Sequence, residues 1–267
     1  MLLNTISTWI RQHKYKAFSV LITLLIGGWL LFATILVAIS SKLIFKPADS
    51  HSVKVEVPYE QLWLTDAKER QIDTLWIENP NAEQVIIYLH GNVGRLSQFF
   101  APLSQKYSIL APAYPGYHGS TGKPTPEDVY STALLAYDYL TQRGFKEEQI
   151  ILFGHSLGGS SAVYVAAQRP QLGKLVIVNT FNSMYDMCWF KWKFACVFAK
   201  DIFNTAKYAP LVNGKVRQYH DRNDAVVPFS QGEKLYQHFT GTEDKKFTVL
   251  ENATHSDYDV LAVVSGE

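Results

Sequence analysis

The spacing of apolar residues divides the chain into two unlike parts. From Ala17 to Ser41 the sequence AFSVLITLLIGGWLLFATILVAISS holds no charged residue, and it is long enough to cross a bilayer as a single helix. A cleaved signal peptide normally has an apolar core of only about 7–15 residues, so the length favours a spanning anchor. Beyond it, apolar positions fall into short blocks. Val53–Val57 (VKVEV) and Thr74–Glu78 (TLWIE) alternate as half-exposed strands do. Val85–His90, Ser108–Tyr114, Gln149–Gly154 and Lys174–Asn179 are nearly continuous apolar runs, the mark of strands buried on both faces. Val216–His220 and Phe247–Glu251 extend the set.

Helical patterns separate these runs. In TPEDVYSTALLAYDYLTQRG, Thr125 suits the cap and Pro126 the first helical position, Glu127 and Asp128 favour the positive end of the dipole, and Gly144 stops the helix. Val129, Leu134, Tyr137 and Leu140 share a face at helical spacing. Strand–helix alternation of this kind predicts an α/β fold with a mostly parallel sheet covered on both faces. Ligands in such sheets bind outside the carboxyl ends of the strands. The expected organisation is a tail over 1–16, an anchor over 17–41, a linker over 42–52 and one α/β domain over 53–267.

Composition narrows the function. The chain has 267 residues, 47% of them hydrophobic and 13% aromatic, enough for a substantial core. A formal net charge of +1 supplies no basic stripe, which argues against nucleic acid as a partner. Arg11, Lys14 and Lys16 precede the anchor, with no acidic residue before them, and Lys42 and Lys46 follow it. The positive-inside rule then puts the N-terminus in the cytoplasm and the domain on the extracytoplasmic side. Cys188 and Cys196 read as two buried thiols, with pairing in an oxidising space left open as the alternative. No Cys/His spacing resembles a zinc site, and neither a metal nor an organic cofactor is implied.

The chemistry concentrates after the run QIILFG. Gly154-His155-Ser156-Leu157-Gly158 satisfies G-x-S-x-G between a strand and a helix-like segment, with Gly159 extending the glycines. Such a turn exposes a strained nucleophile, Ser156, and leaves the Leu157 amide facing a developing oxyanion. A second donor belongs after the strand Val85–His90, where the Asn92 amide in HGN is the candidate. Of eight histidines, His255 fits the base, because it follows the last strand in the chain order Ser…Asp…His. His220, at a strand end, and His238, in a helix-like stretch, read as structural. The acid lies in YHDRNDAVVPF, where position alone leaves both Asp221 and Asp224 open.

Taken together, these segments resemble the alpha/beta-hydrolase superfamily, and within it the membrane-anchored, single-domain serine hydrolases with a short cap. The resemblance covers the chain from about Val53 onward. It rests on HGN (His90–Asn92), YPGYHGST (Tyr114–Thr121), GHSLGG (Gly154–Gly159), NTFNSM (Asn179–Met184), HDRNDAVVPF (His220–Phe229) and THSDY (Thr254–Tyr258). Relatives read H-G-x-x-D-x-V-V-P in the fifth segment, which implies Asp224 as the acid. Three departures stand out. His118 replaces the second glycine of a G-Y-G-x-S loop, Asp221 replaces a glycine beside the acid, and the tail after His255 is short.

The resemblance also implies a cap over about 183–213. That stretch carries Trp189, Phe190, Trp192, Phe194 and Phe198, interspersed with Lys191, Lys193 and Lys200. It reads as an amphipathic helix packed on the sheet or as a surface that meets lipid. The expected activity is hydrolysis of small-molecule esters or acyl lipids by Ser156, His255 and Asp224 through an acyl-enzyme. Thioester or peptide cleavage on the same triad is one alternative. A dormant, membrane-tethered binding protein is another.

Overall fold

Because successive side chains of a strand point to opposite faces, the apolar runs can feed two cores at once. The computed structural model describes residues 2–47, 55–192, 202–251 and 253–266. Its eight strands are β1 (Glu60–Thr65), β2 (Gln71–Ile77), β3 (Val85–Leu89), β4 (Ser108–Pro112), β5 (Ile150–His155), β6 (Lys174–Val178), β7 (Val216–Asp221) and β8 (Lys245–Leu250). They form one sheet in the order β1-β2-β4-β3-β5-β6-β7-β8. β1 and β2 pair antiparallel, as do β2 and β4, and every later pairing is parallel.

Along β3, Val85, Ile87 and Leu89 face one cluster while Ile86 and Tyr88 face the other. The first cluster is closed by α3 (Pro126–Gln142), α4 (Leu157–Ala166) and α7 (Phe229–His238), through Ala133, Leu140, Val163 and Leu235. The second is closed by α2 (Phe100–Ser104) and α8 (Val260–Ser265), through Phe100, Leu103, Val260 and Val264. A third cluster lies over the carboxyl edge of the sheet. It joins Ala113, Tyr114, Tyr117, Leu157, Phe181, Val227 and, from the end of the N-terminal helix, Phe45.

That helix, α1 (Leu2–Ile44), runs beyond the predicted anchor at both ends. Its stretch His13–Ile35 has a mean hydropathy of 2.2 and is long and apolar enough to cross a membrane. The cap is described only in part, as α5 (Met184–Trp192) and the short turn α6 (Thr205–Tyr208). Lys193, Phe194, Cys196, Phe198 and Lys200 lie outside the described residues.

The structure differs from the sequence-based expectation in three places. No strand occupies 55–57 of the expected Val53–Val57, and Val53 and Lys54 lie outside the described residues. Val55 and Val57 instead pack against the second cluster as partly buried side chains. The first strand is β1, whose pattern hid it, because on this edge strand only Leu64 is buried. A turn builds its hairpin: Asp66 Oδ1 accepts from the amides of Lys68 and Arg70, both at 2.9 Å. Finally, Cys188 is not a buried thiol: it is half-buried and disulfide-bonded.

Candidate active site

The parallel register brings the ends of β5, β6 and β7 level, so the turns that follow them meet at one edge. β5 ends at His155, opposite Val178 of β6. Ser156 follows with φ +53° and ψ −115°, a backbone geometry costly for a residue with a Cβ. The surrounding glycines permit the turn. A Cβ on Gly154 would sit 2.5 Å from the Gly159 Cα, and one on Gly158 would overlap the Leu89 carbonyl. Ser156 N–H donates to the Val178 carbonyl at 2.9 Å, tying the turn to β6. The serine is 6% exposed. Leu157 then opens α4, where first-turn amides have no partner within the helix and the dipole is positive.

Asp224 lies in the turn after β7. Its Oδ1 accepts from the amides of Val226 (2.7 Å) and Val227 (2.9 Å), and its Oδ2 accepts from His255 Nδ1 at 2.7 Å. Burial tends to raise the Asp224 pKa, but the hydrogen bond and charge of His255, with the two amides, hold it below the usual carboxylate range. Since Nδ1 donates, the neutral His255 ring keeps its lone pair on Nε2. Asp221, the other sequence candidate, is 1% exposed and serves its own turn by accepting from the Asn223 amide at 3.3 Å. The structure thus brings Asp224 and His255 into contact. Among the described residues the Ser156 hydroxyl has no hydrogen-bond partner, and His255 reaches the nucleophile turn through His155. The His155 and His255 rings lie 5.0 Å apart.

Two supporting residues, His155 and Asn179, had been given no role from sequence. His155 Nε2 donates to the His255 carbonyl at 2.7 Å. Burial, with the neighbouring His255, pushes the His155 pKa down to about 3, so its ring stays neutral. Asn179, at the end of β6, adopts φ +51°, a conformation in which Asn is enriched. Its side chain donates to the His255 carbonyl at 2.9 Å and accepts from the Asp221 amide at 2.8 Å, joining the acid and base loops. Behind the acid, His220 Nε2 donates to the Val227 carbonyl at 3.0 Å.

On the other side, His90 Nδ1 donates to the Gly91 carbonyl at 2.6 Å, and its Nε2 accepts from the Tyr114 amide at 3.3 Å. Burial, with His118 adding to it, pushes the His90 pKa well below the imidazole range. This neutral ring fixes the peptide plane that carries the Asn92 N–H. The Asn92 carbonyl accepts from Tyr117 Oη at 2.7 Å. His118, in the position of the missing glycine, takes a glycine-like φ of +50°. Its Nε2 accepts from the Arg95 amide at 3.0 Å, which helps offset the strain. Arg95 itself is buried against Asp73 at 3.2 Å.

The sequence pattern described as the alpha/beta hydrolase fold matches residues 84–262. The chain belongs to the alpha/beta hydrolase family. Among curated members of the family, it is 27% identical over 188 residues to alpha/beta hydrolase domain-containing protein 17B of Homo sapiens, covering 68% of this chain and 64% of that one. It is 29% identical over 125 residues to phosphatidylserine lipase ABHD16A of Bos taurus, covering 44% of this chain and 22% of that one. The match thus spans less than two thirds of either relative. An esterase from Pyrococcus furiosus shares the fold with a TM-score of 0.65 at 16% identity, covering 84% of this chain and 92% of that one. Est1E from Butyrivibrio proteoclasticus, solved with ferulic acid, follows at 0.62 and 18%, covering 77% of this chain and 95% of that one.

Proposed function

We propose that this alpha/beta hydrolase is a membrane-anchored serine hydrolase that cleaves carboxylic esters or acyl lipids. The observation that carries the reading is the 2.7 Å bond from His255 Nδ1 to Asp224 Oδ2, formed beside a serine held at φ +53°. Esterase and lipase names among the relatives support the ester class.

In the proposed reaction, Ser156 Oγ attacks the ester carbonyl while His255 Nε2 takes its proton, and the electron pair moves to the carbonyl oxygen. The amides of Asn92 and Leu157 donate to that oxyanion. Asp224 holds the imidazole in the right tautomer and steadies the imidazolium. As the intermediate collapses, the alcohol leaves with the proton from His255, and the acyl group stays on Ser156. Water then repeats the sequence, releasing the acid and restoring the serine. In this mechanism the His255–Ser156 hydrogen bond forms in the substrate complex, as catalytic hydrogen bonds often tighten only there.

In the proposed organisation, α1 is the anchor and the domain from Val55 onward is catalytic. The basic flank Arg11, Lys14 and Lys16 puts the N-terminus in the cytoplasm and the domain on the extracytoplasmic face. Protease added to intact cells should digest the domain; digestion only after lysis contradicts that orientation. The catalytic reading is tested with Ser156→Ala, which should remove ester hydrolysis while leaving the unfolding temperature near wild type. Retained hydrolysis refutes it.

A further inference from the structure

The end of the anchor does not hang free of the domain. Phe45, directly after α1, is 6% exposed and packs in the apolar cluster that contains Leu157, Phe181 and Val227. Its ring meets Phe203 edge-on at 6.0 Å. The Lys46 amide donates to the Asn92 carbonyl at 3.0 Å and to Tyr117 Oη at 3.2 Å. The segment that leaves the helix therefore ends on the same loop that carries the candidate oxyanion donor.

This contact fixes where the site faces. Ile44 lies three residues beyond Ser41, the end of the uncharged stretch. At 1.5 Å per residue that is about 4–5 Å of helix, within a headgroup layer of roughly 5–7 Å on each side of the hydrocarbon. A tilt of α1 shortens the gap further. The mouth of the site therefore sits at the membrane surface. Its rim is also apolar. Val93 beside the oxyanion loop, Val226 in the acid turn, and Trp189 and Phe190 on α5 are 46%, 44%, 39% and 58% exposed. Met187, one turn from Phe190, belongs to the same cluster as Phe45. Lys42 and Lys46 stay exposed at the helix end, where lipid headgroups would accept them.

We infer that the mouth of the catalytic site lies against the bilayer that α1 enters and draws its acyl ester from that bilayer, with Phe45–Lys46 as the strap that holds it there. The inference rests on the serine-hydrolase reading. It assigns Phe45 and Lys46 as positioning residues, which act on Asn92 without touching substrate.

The test uses full-length protein in phosphatidylcholine vesicles and one fluorogenic ester in two forms: a long-chain form dissolved in the bilayer and a short-chain form in solution. A flexible Gly/Ser spacer of about 12 residues between Ser41 and Lys42 leaves the strap intact and frees the domain to move about 20 Å. The spacer should lower hydrolysis of the bilayer ester at least tenfold and leave the soluble ester within twofold. Equal rates on the bilayer ester with and without the spacer overturn the inference, as does a wild-type protein that shows no preference for the bilayer form. If the spacer lowers both rates together, Phe190→Asp decides. Loss confined to the bilayer ester supports the inference, and equal loss or none overturns it. Activity surviving in Ser156→Ala would instead remove the catalytic reading, so the two failures are distinguishable.

Discussion

The two sides of the site are held in different ways. On the candidate acid–base side, Asp224, His255, Asn179 and His155 are joined by bonds drawn from the end of β5 and the turns after β6 to β8. On the candidate oxyanion side, Asn92 is held by the ring of His90, the hydroxyl of Tyr117 and the amide of Lys46, which follows α1. One side is complete within the domain, and the other is completed from outside it. In the proposed mechanism, proton transfer would need only the α/β domain, whereas full stabilisation of the oxyanion would need the segment after α1 too. Detaching the domain ahead of Phe45 and detaching it after Lys46 are not equivalent operations.

The sharpest way to break the comparison is on the acid–base side. His255→Ala should lower kcat by about six orders of magnitude with little effect on unfolding; a loss below tenfold in ester turnover would remove His255 from the role of base. The next largest effect is structural and falls behind the oxyanion loop. Arg95 and Asp73 form a buried pair, so Arg95→Leu leaves an uncompensated carboxylate and should cost about 3–5 kcal/mol of unfolding free energy. Chemical denaturation measures this, and the double variant Arg95→Leu/Asp73→Leu should recover part of the loss. No cost in the single variant contradicts the pairing.

Buried neutral histidines brace both sides, so acid should weaken both. Burial holds the pKa values of His90, His155 and His220 below the ordinary imidazole value, in the case of His155 at about 3. In the unfolded chain these rings take up protons below about pH 6.5, and in the folded chain they do not. Their contribution is thus full above pH 6.5 and falls as pH drops, by about 1.4 kcal/mol per pH unit for each site. The His155 contribution levels off once pH reaches its folded value. Unfolding followed from pH 7.5 to 5 should show this fall, and a flat profile contradicts it. The smallest effect isolates the strap. Lys46→Pro removes the amide that bonds Asn92 and should lower kcat about tenfold, with KM nearly unchanged. Lys46→Ala keeps the amide and should match wild type. Equal kcat for the two variants denies the strap its role.

How much of this was legible in the sequence follows from what each feature demands of its residues. The sheet was, because strands buried on both faces require unbroken apolar runs, and β3 to β6 show them. The edge strand β1 was not, since only Leu64 is buried and its alternation is faint. Ser156 was legible because its turn excludes side chains at Gly154, Gly158 and Gly159. The choice between Asp221 and Asp224 was not open to position alone, as both follow β7 and only the fold of the turn decides which carboxylate meets His255. His118 carried a misleading signal. A glycine was missing where φ is positive, yet the loop keeps a glycine-like shape, with a ring nitrogen accepting from the Arg95 amide. Phe45 and Lys46 gave no signal at all, because what matters there is a backbone N–H and a contact across the fold.

The most direct test of the central claim is covalent. Full-length protein treated with a fluorophosphonate probe, digested and mapped by mass spectrometry should carry the adduct on Ser156. The Ser156→Ala variant should carry none, and His255→Ala should label far more slowly. An adduct at any other residue, or equal labelling of the Ser156→Ala variant, would contradict the account.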